Sequence, residues 1–195
     1  MTMTPNVRVK RKKEILAFDL ETMAAGFADP NWVPQKITCV AWKWMGSVRE
    51  PHVMISDKAG FFEPELRREM LAPFMESFRA ADAVLGHNLL RFDLPVLNAE
   101  LLRLGMEPLG PVMVHDSIRL LKTKGFKKGL DNMAELLKVP IHKQAMSWQQ
   151  WEDAYEQDGW PEVVSRCQSD VEMQIIMYER AREAGWLRPP TLWRP

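Results

Sequence analysis

Short apolar runs punctuate the first third of the chain, and three- and four-residue apolar spacing dominates much of the remainder. Ile15-Leu16-Ala17-Phe18 opens a strand predicted over about 14–20, and Ile37 to Trp42 is rich in β-formers and predicts a second. Pro51 to Ile55 predicts a third, with Met45-Gly46-Ser47 as the hairpin turn. Between the first two strands, Gly26, Pro30 and Pro34 mark a loop. From about Glu63 to Ala81 the period changes: Leu66, Met70, Leu71, Phe74, Met75 and Phe78 recur at helical spacing. Ala83 to Gly86 then reads as a short buried strand. A helix follows from about Asp93 to Gly105, with Pro95 in the first turn where its missing N–H costs nothing. Val112 to His115 predicts another strand, ending at Asp116. Helices are expected over 130–137, over about 147–155, and from Pro161 to Ala184 with Gly185 as the stop signal. Pro189, Pro190 and Pro195 predict an irregular tail. Strands first, then strands alternating with helices, give an α/β sandwich around one mixed sheet of about five strands.

A length of 195 residues suits one domain with a sizeable core. We divide it into a basic, flexible segment over 1–13, a folded domain over 14–185 and a Pro/Trp-containing tail over 186–195. Lys plus Arg and Asp plus Glu both number 26, so no global field marks a nucleic-acid partner, and a local basic groove remains open. Cys39 and Cys167 lie far apart in sequence and form no metal-binding pair, which fits a reducing cytoplasm. No apolar stretch reaches the roughly 18 residues of a membrane span, and no membrane partner is expected.

The chemistry begins where the first strand ends. Residues two apart on a strand share a face, so Asp19 and Glu21 project together. Two adjacent carboxylates repel each other unless a cation sits between them, and hard oxygen ligands suit Mg²⁺ or Mn²⁺. A second acid, Asp93, lies in Gly86-His87-Asn88-Leu89-Leu90-Arg91-Phe92-Asp93-Leu94-Pro95-Val96-Leu97. Taken alone it reads as a first-turn acid that stabilises its helix. A third, Asp170, lies on the last helix among Val164, Cys167, Val171, Ile175 and Ile176, where an acid near an apolar face needs a partner. Glu162 and Glu172 are expected on solvated faces.

The order D-x-E, then G-H-N-x-x-x-F-D-x-P-x-L, then C-x-x-D-V resembles the DEDD 3′–5′ exonucleases of the ribonuclease H-like superfamily, over roughly residues 14–182. In motif style it is closest to the polymerase B-type group. Val114-His115-Asp116-Ser117 and Gly129 to Ala134 resemble the segment between the second and third motifs. The resemblance implies a ribonuclease H-like three-layer sandwich. It implies a 3′–5′ exonuclease that hydrolyses single-stranded DNA, or secondarily RNA, to nucleoside 5′-monophosphates. Asp19, Glu21, Asp93 and Asp170 would then hold two Mg²⁺ or Mn²⁺ ions, about 3.5–4 Å apart in such sites.

The pattern departs from the family at one place. Members carry a Tyr four residues, or a His five residues, before the last Asp; here these positions are Arg166 and Ser165. Arginine cannot serve as a base near neutral pH. Arg166 either contacts the scissile phosphate, or pairs with Asp170 at i, i+4 and weakens metal binding, or leaves the base role to His87, His115, His142 or Tyr155. The alternative function is therefore a silent or weakened nucleic-acid-binding module of the same fold. Substrate contacts are expected from Thr22 and Met23 after the first motif, from Asn88, and from the basic cluster Lys122, Lys124, Lys127 and Lys128. Phe92 reads as core packing or as a surface for base stacking. The tail from Trp186 to Trp193 either docks a replication or repair protein or folds back over its own surface.

Overall fold

The computed structural model describes residues 13–22, 36–55, 63–120, 128–142, 145–156 and 161–195. Met23, Lys122, Lys124, Lys127, the basic segment over 1–12 and most of the loop between the first two strands lie outside them. Six strands form one sheet: β1 (Ile15–Thr22), β2 (Ile37–Trp44), β3 (His52–Ile55), β4 (Ala83–Gly86), β5 (Val112–Asp116) and β6 (Thr191–Trp193). Their order is β3-β2-β1-β4-β5-β6. The first three are antiparallel neighbours, β4 and β5 run parallel to β1, and β6 closes the far edge antiparallel to β5. Helices α1 (Pro64–Ala80) and α2 (Asp93–Arg103) cover one face, while α5 (Trp148–Glu156) and α6 (Pro161–Glu183) cover the other. The one-turn α3 (Ser117–Leu120) follows β5, and α4 (Leu130–Leu136) packs outside α6. This is the three-layer, ribonuclease H-like sandwich.

Alternation along β1 decides which chemistry faces which layer. Leu16, Phe18 and Leu20 point at α1 and α2, where Phe18 meets Phe74 at 5.3 Å and Phe78 at 5.8 Å between ring centroids. Ala17 points the other way, and with Cys39 and Ala41 it makes a wall of small side chains on which α6 lies. Asp19 and Glu21 share the parity of Ala17 and so face α6. The two faces of α6 explain why its apolar pattern is broad. Val163, Cys167, Val171 and Ile175 meet the sheet, while Met173, Met177 and Ala181 meet α4.

The structure adds two features to the expected fold. The tail is not irregular: beyond the proline pair, Thr191 and Trp193 pair with Val114 and Val112. Prolines are tolerated there because they precede the strand and need no ladder donor. Trp193 packs against the main core, so the tail folds back and the sheet has six strands. The second is a buried ion network between α1 and α2. Arg67 Nε donates to Glu100 Oε1 at 2.7 Å, and Arg103 Nη1 sits 2.6 Å from Glu100 Oε2. Glu100 is fully buried and Arg67 nearly so. Breaking such a pair strands a charge out of water, a cost of about 3–5 kcal/mol. Glu100→Ala is therefore expected to lower stability by about that amount in a urea melt. A loss under about 1 kcal/mol, the value of an exposed pair, would show the network to be solvated.

Candidate active site

Strand β1 carries Asp19 and Glu21 to the carboxyl end of the parallel strands, and a register shift after Glu21 interrupts pairing with β2. Helix α6 crosses this end and presents Asp170, which is 1% exposed. Asp19, Glu21 and Asp170 each offer an oxygen within 4.8 Å of the others'. The fourth acid arrives from α2. Asp93 stands in the first helical turn, as its position predicts, but it also accepts a hydrogen bond at 3.2 Å from the backbone N–H of Leu20. That bond ties the start of α2 to the strand between Asp19 and Glu21. Burial pushes Asp93 up to about 8, against backbone hydrogen bonds that favour its ionised form, and the charges of Glu21 and Asp116 push the same way as burial.

A cavity of about 190 Å³ opens over these groups, walled by all four acids with His87, Asn88, Phe92, Leu130 and Arg166. Three of its walls belong to the turn between β4 and α2. Asn88 has a left-handed backbone, with φ of 63°, which Asn tolerates better than most residues. Gly86 precedes it because a Cβ there would lie 2.5 Å from Leu89 Cδ2. Asp116, at the end of β5, holds the turn in place. Its Oδ1 accepts from the N–H groups of Asn88 at 2.9 Å and Ile118 at 3.1 Å, and its Oδ2 accepts from Leu90 at 3.1 Å. His87 Nδ1 lies 2.6 Å from Ser117 Oγ, anchoring the same turn to α3.

Asp19 is braced from α6. Gln174 Nε2 donates to Asp19 Oδ1 at 3.2 Å, and the Cys167 thiol donates to the Asp19 carbonyl at 3.5 Å. Burial pushes the Cys167 thiol well up, with Cys39 beside it adding to the effect, so it stays a protonated donor. Arg166 Nε donates to Glu21 Oε1 at 2.7 Å, and both side chains are largely removed from water. The guanidinium carbon also lies 5.7 Å from the Trp151 ring centre. Burial alone would lower Arg166, yet Glu21, and then Asp170 and Asp19, outweigh it and raise it.

Several expectations are corrected here. Arg166 makes a close ion pair with Glu21 across the fold, a partner that helical spacing does not name, because the α6 face bearing Arg166 looks onto β1. Phe92 is not core: it is half-buried in the cavity wall and outside the apolar clusters. Glu172 is not on a solvated face, since it pairs with Lys43 of β2 at 2.5 Å. Of the four candidate bases, His87 alone lines this cavity among the described residues; His115 and His142 line others, and the Tyr155 side chain lies outside the described residues. Thr22 ends β1 beside the register shift and is not a cavity wall, and Lys128 is half-buried two residues before Leu130. Sequence reasoning does not single out Asp116 or Gln174 as site residues. Gln174 is legible as the i+4 neighbour of Asp170. Asp116 is visible only as an acid closing a buried strand.

No protein-family model matches the chain, and no curated protein matches it. Among solved structures it is similar to the family B DNA polymerase from the hyperthermophilic archaeon Pyrobaculum calidifontis, at a TM-score of 0.58 and 21% identity. The match covers 87% of this chain and 24% of that one, so this chain spans about a quarter of the polymerase's length. At that identity the likeness is one of fold. Among the described residues no helix is long and apolar enough to cross a membrane.

Proposed function

We propose that this chain is a metal-dependent 3′–5′ exonuclease acting on single-stranded nucleic acid, DNA in preference to RNA. The observation that carries the reading is the convergence of Asp19, Glu21 and Asp170 within 4.8 Å. Three carboxylates against one guanidinium leave the cluster negative, and its donors are all hard oxygens, so the residues present fit Mg²⁺ or Mn²⁺. Asp93, lining the same cavity, completes a ligand set of four. Divalent ions bound there would supply a water of lowered pKa and positive charge for the phosphodiester. The fold shared with a DNA polymerase supports a nucleic-acid substrate.

The chain's own groups then have distinct tasks. Phe92, at the cavity wall, offers a ring on which the terminal base stacks, an interaction of about 1–3 kcal/mol. Asn88, fixed in its left-handed turn by Asp116, presents an amide to the terminal sugar. Arg166 donates to the scissile phosphate, exchanging its bond to Glu21 for one to the substrate; Glu21 would then be available as a metal ligand. His87, whose Nδ1 faces Ser117, is the one described imidazole placed to move a proton in this cavity.

One observation favours a second reading. The close Arg166–Glu21 pair already neutralises part of the cluster, which suits a silent binding module. The test is a time course on 5′-labelled single-stranded DNA and RNA with Mg²⁺, Mn²⁺ or EDTA. Stepwise shortening from the 3′ end that EDTA abolishes is the expected result, with the 5′ label retained to the shortest products. Strand binding with no shortening in any metal would replace the enzyme with the module.

A further inference from the structure

A second cavity, of about 150 Å³, lies outside the carboxylate cluster at the edge formed by β5 and β6. Its walls include His115, Asp116, Arg119, Arg188 and Thr191. The β6 register explains why these residues meet. Thr191 pairs antiparallel with Val114, so the chain before Thr191 runs alongside the chain after Val114. Arg188 is thereby carried toward Arg119, which follows β5 in the one-turn helix α3. The proline pair at 189 and 190 stiffens the approach.

Three features of this cavity point to an anion. Neither Arg119 nor Arg188, both exposed, has an acidic partner among the described residues, so both bring uncompensated positive charge to the cavity wall. His115 is 8% exposed, and its Nδ1 is buried with no hydrogen-bond partner among the described residues. A buried polar nitrogen without a partner is costly and calls for a ligand or an ordered water. Asp116, the one acid in the wall, has its carboxylate engaged by three backbone N–H groups, two from the turn after β4 and one from α3. Lys13 adds a further positive charge within electrostatic reach of His115. Two guanidiniums around one small cavity match a phosphate group, whose oxygens accept from guanidinium donors in pairs.

We propose that this cavity is a phosphate-binding site, held by Arg119 and Arg188 with His115 beside them, that grips a backbone phosphate of the single strand away from its reacting end. Naming the strand as the source rests on the nuclease reading above; the oxyanion site itself does not. Asp116 stands between the two cavities: it lines this one, and its carboxylate fixes the turn that walls the other. The tail strand thus has a functional consequence, because it places Arg188.

The test needs no turnover. The Nε–H NMR signals of ¹⁵N-arginine are followed while the intact chain is titrated with inorganic phosphate at constant ionic strength. In parallel, anisotropy in EDTA reports binding of a 5′-fluorescein oligothymidylate of about a dozen nucleotides. The double variant Arg119→Gln/Arg188→Gln and its Arg→Lys counterpart are compared, with melting curves confirming that each is folded. Saturable shifts of the Arg119 and Arg188 signals are expected. The Gln double variant is expected to bind the strand about tenfold more weakly. Its salt dependence should also be shallower, by about 0.7 for each phosphate that the variant no longer neutralises. The Lys variant should keep the salt dependence, since it keeps the charge. Phosphate shifts with unchanged strand affinity would overturn the strand as the ligand and leave an oxyanion site for a small phosphate. Strand weakening without phosphate shifts would overturn the phosphate site and leave a diffuse charge effect on the strand. Absence of both would overturn it. A chain that fails to shorten any substrate yet shows these shifts would sink the nuclease reading and leave this one standing.

Discussion

At pH 8 without divalent metal, Asp93→Asn is expected to melt several degrees above the native chain, while with Mg²⁺ its hydrolysis falls by about a thousandfold. The opposed signs come from one carboxylate. Burial, reinforced by Glu21 and Asp116, lifts Asp93 to about 8 in the folded state, against about 3.9 in an unfolded chain. The native state then holds a proton that the unfolded state has released. Stability from this group is fully present below about pH 4, is lost as pH rises through 8, and is level above. A metal-free melt should therefore decline from pH 5 to pH 8 in the native chain and decline less in Asp93→Asn. Asparagine keeps an oxygen for the Leu20 N–H and removes the charge. For a chain of this size, each kcal/mol corresponds to about 2–4 °C. On the proposed function Mg²⁺ would bind the ionised cluster, so it should raise the melting temperature more at pH 8 than at pH 5. The thousandfold loss of rate corresponds to about 4 kcal/mol of transition-state stabilisation. Equal melting shifts at both pH values would mean that the Leu20 bond, not charge repulsion, governs this side chain. Unchanged turnover would remove Asp93 from the proposed ligand set.

The elements of this fold are legible in the sequence because each carries its own period. β1, β2, α1 and α2 lie close to where alternation and helical spacing put them. The face of β1 that bears Asp19 and Glu21 is legible too, since parity alone fixes it. What the sequence hides is long-range pairing. β6 is three residues long, preceded by prolines, and acquires its strand conformation only by lying against β5. The Arg67–Glu100 network joins two helices whose polar residues, taken alone, look solvated. Arg166 is legible as a departure from the family pattern, but its partner is not. Helical spacing points to Asp170, while the small residues Ala17, Cys39 and Ala41 let α6 settle close enough for Glu21 to be reached across the fold. Phe92 is ambiguous for a similar reason: whether an aromatic beside a turn goes inward depends on the turn. Here the left-handed Asn88 and the grip of Asp116 place it at the cavity.

Arg166→Gln is expected to tighten Mn²⁺ binding about tenfold while lowering turnover by about a hundredfold. The guanidinium occupies Glu21 Oε1 at 2.7 Å and, next to Asp170 and Asp19, supplies positive charge that a metal would otherwise supply. Metal entry must displace at least the bond to Glu21, so the pair taxes affinity. Removing it leaves the acids uncompensated and more receptive to a cation. Without metal, the variant should be less stable than the native chain for the same reason. Yet on the proposed function the same charge would face the scissile phosphate, and loss of one such donor costs about a hundred- to a thousandfold in rate. Glutamine can still donate to Glu21 but carries neither the charge nor the guanidinium that meets Trp151, so the variant removes both. Calorimetric Mn²⁺ titration beside single-turnover hydrolysis separates the two effects. Tighter metal with slower turnover assigns Arg166 to the transition state. Tighter metal with faster turnover, above all if Arg166→Tyr gains activity that the native chain lacks, would make Arg166 the residue that silences the site. Unaltered metal affinity would mean that Glu21 binds the arginine and the cation with different oxygens, and that the two charges coexist.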